Sequence, residues 1–332
     1  MRSLRVVDGV PGPELYDALR RAVEGTGPAV GLPYDGMRPE EGVDDDVCLV
    51  VPTSGSTGPP KGVELTAACL TASGAATAEV IGTGRWWLNL PLTHIAGLQV
   101  VLRSGFDPSP EPEGCRFTSL VPTQLVRLLD DPRLPALDAV LLGGAAPSPQ
   151  LLEQARARGI RVVTTYGMSE TSGGCVYDGK PLPGVTVEAA DTVVLRGPVV
   201  AKGYRFGERF DGCFATADLG TWQDGRLTVH GRADDLINTG GEKVAPLTVE
   251  QALAEHPSVV DVAVVGQADP EWGQRVVAFV TLRGPLSLAD ARDHVADRLS
   301  RVAAPRALYV LDQLPLLPGG KVDRVHLRSW SP

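Results

Sequence analysis

Five short apolar runs, Val47 to Val51, Trp86 to Leu90, Phe117 to Val121, Ala139 to Leu142 and Arg161 to Thr164, alternate with segments of helical spacing such as Ser148 to Arg158. Strands that stay apolar on both faces belong to sheets covered by helices on each side. The alternation therefore predicts an α/β core with mostly parallel sheets. Beyond Gly184 the texture changes: Val185 to Val200 and Leu227 to His230 read as strands, and Asp224-Gly225 as a hairpin turn. After Asp234 the pattern is helix (Pro246 to Glu255), strand (Val259 to Val265), strand (Arg275 to Leu282), helix (Ser287 to Leu299) and strand (Ala307 to Leu311), a small α+β domain. The expected organisation is a large domain over 1–233, β-rich from about 184, followed by a smaller one over 234–332. Asp107 to Glu113, where Pro alternates with acidic and small residues, reads as a surface loop.

A chain of 332 residues, 43% of them hydrophobic, can bury such a core. Its 31 Lys and Arg against 40 Asp and Glu leave a net charge of -9, which argues against general affinity for nucleic acid or anionic membrane. Cys48, Cys69, Cys115, Cys175 and Cys213 are odd in number and never spaced C-x-x-C, so neither a disulfide framework nor a zinc knuckle is indicated. No apolar h-region precedes Asp8, and no run approaches the roughly 18 apolar residues of a membrane helix. A cytoplasmic protein with no stable membrane insertion is expected, and a homodimer is left open.

The segment Thr53-Ser54-Gly55-Ser56-Thr57-Gly58-Pro59-Pro60-Lys61-Gly62 directly follows an apolar strand and precedes a helix-like run from Glu64. Its glycines let backbone N–H groups turn inward as an anion nest, its hydroxyls add donors, and Lys61 adds positive charge, so it suits a polyphosphate. It is not a Walker A loop, since two prolines precede the lysine and a glycine follows it.

These ten positions resemble the phosphate loop T-S-G-S/T-T-G-x-P-K-G of the adenylate-forming superfamily, which includes acyl-CoA ligases, luciferases and peptide-synthetase adenylation domains. Further segments resemble that superfamily in order. Leu142-Gly143-Gly144-Ala145, ending a strand, is similar to the segment that borders adenine. Thr165-Tyr166-Gly167-Met168-Ser169-Glu170, after the next strand, is similar to the motif whose tyrosine stacks on adenine and whose glutamate holds Mg²⁺. Phe214-Ala-Thr-Ala-Asp218-Leu-Gly220 resembles the ribose-binding motif, Asp218 being the diol acceptor, although Ala217 stands where glycine is usual and Cys213 where an aromatic is common. His230-Gly-Arg232-Ala-Asp234-Asp-Leu-Ile-Asn-Thr-Gly240-Gly241 resembles the hinge signature, with Arg232 near ribose and phosphate, Asp234 as pivot and the two glycines suited to the same hinge. Pro318-Gly-Gly-Lys321-Val-Asp-Arg324 resembles the segment whose lysine reaches the acyl carboxylate and α-phosphate.

The resemblance implies ATP, Mg²⁺ and coenzyme A as cosubstrates and cofactor. The acid is first activated as an acyl-adenylate, with Lys321, Lys61 and Mg²⁺ on Glu170 stabilising charge. It is then passed to a thiol after the small domain rotates. Leu90-Pro-Leu-Thr-His94-Ile-Ala-Gly resembles the segment whose histidine lies between acyl pocket and thiol entrance. Together with Val101-Leu-Arg-Ser104, Ser119-Leu-Val-Pro-Thr-Gln-Leu125 and Ser172-Gly-Gly-Cys-Val-Tyr-Asp-Gly179, it is most similar to the o-succinylbenzoate–CoA ligases of menaquinone biosynthesis, in their short actinobacterial form. That substrate carries a second carboxylate needing a cation or strong donor. Arg103 is near enough in sequence, but an exposed helix-end arginine is the alternative. Competing readings are another aryl- or fatty-acyl-CoA ligase and a non-catalytic AMP-binding regulatory or scaffold protein.

Overall fold

The structure, a computed structural model, describes residues 1–53, 60–317 and 320–331. Two sheets organise the larger part of the chain. In the first, Leu4–Val6, Ala29–Gly31 and Val47–Pro52 run parallel, and Gly62–Thr66 and Gly203–Tyr204 extend it antiparallel. In the second, Trp86–Trp87, Phe117–Leu120, Ala139–Leu142 and Val162–Met168 run parallel, with Gly173–Tyr177 and Lys180–Pro181 returning antiparallel.

The helices Ala67–Ile81 and Ile95–Arg103 lie between these sheets. Cys69, Leu70, Leu98 and Val101 join the apolar cluster of the first sheet, whereas Ala76, Ile81 and Val100 join that of the second. A helix covered on both faces has no polar stripe, and the Ala67–Ile81 sequence lacks any charged residue but Glu79. The outer face of the second sheet is covered by Pro122–Leu128 and Pro149–Ala157, the latter capped by Ser148 Oγ accepting from the Leu151 N–H. The large part is thus layered helix, sheet, helix, sheet, with the Pro13–Val23 helix packed against the first sheet.

The β-rich region consists of Thr186–Ala189, Val193–Arg196 and Cys213–Ala215 in one small sheet, and a hairpin of Asp218–Gln223 with Arg226–Arg232. Asp224 and Gly225 both have positive φ, 51° and 72°, as a two-residue turn matched to strand twist requires. The last part of the chain forms a sheet of Ile237–Thr239, Glu242–Val244, Val259–Asp269, Gly273–Leu282 and Ala307–Val310. Pro246–Ala254 and Leu288–Arg298 cover one face, and Arg324–Ser329 the other. It meets the larger part where Gln150 Nε2 donates to the His256 carbonyl at 3.4 Å and Arg283 donates to Gln150 Oε1 at 2.9 Å.

Three expectations change. The run from Glu64 is not helical: Gly62–Thr66 pairs with Val47–Pro52, and the helix starts at Ala67, where Thr66 Oγ1 accepts from the Cys69 N–H. The phosphate loop is therefore a hairpin connection. Gly240 and Gly241, expected at the hinge, instead make the two-residue turn between Ile237–Thr239 and Glu242–Val244, with φ of 60° and 84°. The Trp86 to Leu90 strand ends at Trp87 because the Leu88 N–H is taken by the Ser109 carbonyl of a loop.

Phe117 is fully buried in the second sheet, its ring centroid 5.1 Å from that of Trp86. Truncating it removes a large, fully buried ring from the core and leaves a cavity. Phe117→Ala should lower unfolding stability by about 3–5 kcal/mol, measured by chemical denaturation against the parent chain.

Candidate active site

The phosphate loop is closed at its neck. Pro52 is paired with Gly62, the Thr53 N–H donates to the Lys61 carbonyl at 2.8 Å, and the Lys61 N–H donates back to Thr53 Oγ1 at 3.4 Å. Ser54, Gly55, Ser56, Thr57 and Gly58 lie outside the described residues. Gly62 is required by close approach, since a Cβ there would stand 2.2 Å from the Tyr34 hydroxyl. The exposed Lys61 ammonium sits 4.6 Å from the ring centroid of Tyr204, whose hydroxyl donates to Glu170 Oε1 at 2.7 Å. Glu170 is buried, as is its neighbour Thr171. The pairing of Tyr204 with Val63 brings this tyrosine from far along the chain between the two.

The Thr165 to Gly167 segment does not follow its strand, as expected, but forms part of it. Val162–Met168 runs on through these residues with an irregularity at Tyr166/Gly167. Gly167 crosses so close to Gly173 and Gly174 that a Cβ would meet the Gly173 carbonyl at 2.2 Å. Ser169 begins the turn that carries Glu170. At the end of Ala139–Leu142, Gly143 faces Thr165 Oγ1, only 2.4 Å from where a Cβ would stand, and Gly144 takes a φ of 82° ahead of the exposed Ala145. Both glycines thus hold backbone where side chains would not fit.

Asp218 gathers the next set. It is buried, and its Oδ2 accepts from the Tyr166 hydroxyl at 2.6 Å while its Oδ1 faces Arg232 Nη1 at 3.4 Å. Burial first, and the carboxylate second, push the Tyr166 phenol well above its usual range, so it stays a donor. Arg232 also grips Asp234 with both prongs, at 2.8 and 2.7 Å, which raises the guanidinium pKa and lowers that of Asp234. Ala217 lies outside the left-handed region and its carbonyl accepts from the Ala233 N–H, so alanine fits where the related motif has glycine.

Lys321 reaches this cluster from the last part of the chain. Its side chain is exposed, with protein atoms near enough to desolvate the ammonium in part. Desolvation, then Arg232, lower its pKa, while Asp218 and Glu170 pull the other way. His94 caps the Ile95–Arg103 helix through its backbone, and desolvation and then Lys321 lower its pKa. The turn before that helix is tight: a Cβ on Gly97 would stand 2.3 Å from the Pro91 carbonyl. Lys61, Glu170, Tyr166, Asp218, Arg232, Asp234, Lys321 and His94, spread over most of the chain, therefore share one cleft.

Three carboxylates, three cations and a half-buried phenol brought together suit a polyphosphate ester rather than an apolar ligand. Residues 6–205 match the family described as AMP-binding enzyme, and residues 248–321 its C-terminal domain. The chain belongs to the AMP-binding enzyme family. It is 46% identical to a probable 2-succinylbenzoate–CoA ligase of Mycobacterium tuberculosis, over 98% of this chain and 97% of that one. It is 36% identical to the 2-succinylbenzoate–CoA ligase of Escherichia coli, over 86% of this chain and 69% of that one. Among solved structures, o-succinylbenzoate CoA synthetase from Bacillus subtilis, in complex with its acyl-adenylate intermediate, superposes with a TM-score of 0.76. Identity there is 25%, over 99% of this chain and 83% of that one. As an adenylate-forming fold, the chain is a large α/β part followed by a smaller C-terminal one. No described helix is long and apolar enough to cross a membrane.

For an AMP-binding enzyme, the metal question is narrow. Among the described residues no group of three His, Cys, Asp or Glu side chains could hold a metal ion. A single buried carboxylate, Glu170, fits a cation that takes most of its ligands from water and phosphate, as Mg²⁺ does. Cys48 and Cys175 are pushed up to about 12 by burial, so neither is a nucleophile at neutral pH. Sequence reasoning missed Tyr34 and Tyr204. A lone Gly203-Tyr204 pair carries no sign that it will join the strand beside Lys61.

Because the folded-state pKa of His94 is depressed, the neutral ring is favoured. Its contribution to stability is present above about pH 6.5 and is lost as pH falls below that unfolded value. His94 should titrate below the ordinary histidine value when followed by NMR. In Lys321→Met the midpoint should move upward, because a nearby positive charge has been removed.

Proposed function

We propose that the chain joins o-succinylbenzoate to coenzyme A at the expense of ATP. The convergence of Lys321 on Asp218, Arg232, Glu170 and His94 carries this reading. A carboxylate cannot acylate a thiol directly, because oxide would have to leave. In the first half-reaction a carboxylate oxygen attacks the α-phosphorus, the bond to the bridging oxygen breaks, and pyrophosphate departs, leaving an acyl-adenylate. Negative charge builds at that phosphorus and on the leaving group, and Lys321, Arg232 and Lys61 are the cations aimed into the cleft. Asp218 is the acceptor for a ribose diol. Glu170 would hold Mg²⁺, which supplies further charge neutralisation when bound. In the second half-reaction the thiol of coenzyme A attacks the acyl carbonyl, AMP leaves, and the thiol proton passes to solvent or AMP.

The two steps need different groups at one acyl carbon. We assign the chain to a domain over 1–233 and a mobile one over 234–332, with Asp234 as the pivot. Turning there withdraws Lys321 and parts Arg232 from Asp234. ATP and coenzyme A as substrates, and cysteines that form no disulfide among the described residues, fit a cytoplasmic enzyme.

The substrate assignment follows the relatives and one feature of the site. The Arg103 Nε is buried and has no hydrogen-bond partner among the described residues, while its guanidinium lies 5.6 Å from the Trp86 ring. It stands at the opposite end of the helix capped by His94, about 13 Å away along the axis. A buried N–H left without an acceptor is costly, and an anion beside the guanidinium would complete it. The second carboxylate of o-succinylbenzoate is that group. Arg103→Leu should reduce kcat/KM for this acid roughly 10- to 100-fold, the effect of losing one charged hydrogen bond.

Acid-dependent exchange of pyrophosphate into ATP tests the reading. Exchange should require o-succinylbenzoate within a panel of aryl and fatty acids. Exchange with a different acid would make this another acyl-CoA ligase, and AMP binding without exchange would make it a non-catalytic nucleotide-binding protein. Lys321→Ala should lower exchange by about 10²- to 10³-fold while still converting supplied acyl-adenylate to thioester.

A further inference from the structure

The run Ser119 to Leu125 has so far been given no part in the chemistry, yet its middle touches three pieces of the cleft. Val121 and Gln124 close the start of the Pro122–Leu128 helix, the Val121 N–H donating to Gln124 Oε1 at 3.0 Å. Gln124 Nε2 donates to the Asn89 carbonyl at 2.7 Å, fixing this turn on the segment that leads into His94. Val121 Cγ1 lies 3.2 Å from where a Cβ on Gly144 would stand. Thr123 Oγ1 points to the small domain and donates to the carbonyl of Gly320, the residue before Lys321, at 3.4 Å.

The described residues that flank Gly320 are tied to one another. The Leu317 N–H donates to the Lys321 carbonyl at 2.7 Å, the Gly320 N–H donates to the Leu317 carbonyl at 2.8 Å, and Leu316 bridges to Val322. Gly320 holds a φ of 78°, and a Cβ there would press on Val121 Cγ2 at 3.2 Å and Thr123 Oγ1 at 3.3 Å. Gly320 is bonded directly to Lys321, whose carbonyl is held by the Leu317 N–H, so where Gly320 is seated bears on where the Lys321 ammonium arrives.

We propose that Thr123 is a positioning residue that seats the Gly320-Lys321 backbone on the large domain, and that it acts only in the adenylation orientation. This rests on the two-orientation reading above, in which turning about Asp234 lifts Gly320 off Thr123 before thioester formation. Thr123 touches no reacting atom; it acts through the aim of Lys321.

The test compares two half-reactions of the full chain: acid-dependent ATP–pyrophosphate exchange, and thioester formation from supplied acyl-adenylate and coenzyme A. Thr123→Val, which keeps the shape and removes the donor, should slow exchange roughly three- to ten-fold, the effect of one neutral hydrogen bond, and leave thioester formation unchanged. Thr123→Ser should restore exchange. Gly320→Ala, which strains the left-handed backbone and crowds the seat, should slow exchange by at least as much, again sparing the second step. Equal loss in both half-reactions, no loss in either, or no rescue by serine would overturn the proposal. Lys321→Ala separates the two levels. If it divides the half-reactions and Thr123→Val does not, the seat is wrong and the reading stands. If Lys321→Ala impairs both equally, the two-orientation reading itself fails and the seat falls with it.

Discussion

Asp218 is the constraint on which the cleft depends. A carboxylate that is 8% exposed must be compensated, and here compensation comes from Tyr166 on the second sheet and Arg232 at the end of the β-hairpin. Arg232 passes the constraint on to Asp234, at the junction with the small domain. One buried charge thus ties together an inner strand of the second sheet, a hairpin and the turn after it that would otherwise be independent. It also makes this link polar, a charge pair rather than packed side chains.

Strand pairing assembles the phosphate side of the cleft by a different route. Gly203–Tyr204 adds to the free edge of the hairpin strand Gly62–Thr66. That puts the Tyr204 ring under the Lys61 ammonium and its hydroxyl on Glu170, so lysine and glutamate share one rigid aromatic support. Further along the same strand, buried Glu64 pairs with Arg209 at 2.5 Å, anchoring the returning segment. Lys202 adds bonds to Asp44 and Asp46. Most of these pairs are partly exposed and individually weak. Their effect is to select which edge the short strand joins.

Glycine does more here than allow turns. At Gly62, Gly143 and Gly167 the neighbouring atoms leave no room for a methyl group, so these positions bring backbone and side chains closer than any other residue permits. Each lies at the end of, or within, a strand that delivers a motif to the cleft. At Gly240 and Gly241 the requirement is the opposite, a left-handed turn that joins two strands of the C-terminal sheet.

Local pattern was enough to determine most of the elements, and the resemblance to known motifs the candidate site residues. Apolar runs located Val47–Pro52, Phe117–Leu120 and Ala139–Leu142, Ser148 marked a helix start, and the ordered motifs named Lys61, Glu170, Asp218, Arg232 and Lys321. Those signals are legible because side-chain periodicity and loop chemistry are set by neighbours in the chain. The strand after the phosphate loop was misread because Glu64, a charge in a buried strand, breaks the expected apolar pattern; Arg209 and Arg205, far away in sequence, make it tolerable. Only the tertiary structure decided that Tyr204 lies between Lys61 and Glu170, that Tyr166 bonds Asp218, and that Thr123 meets Gly320. Contacts between residues 34 to 197 positions apart are decided by which sheet edges and domain faces come together, and no short-range pattern encodes that choice.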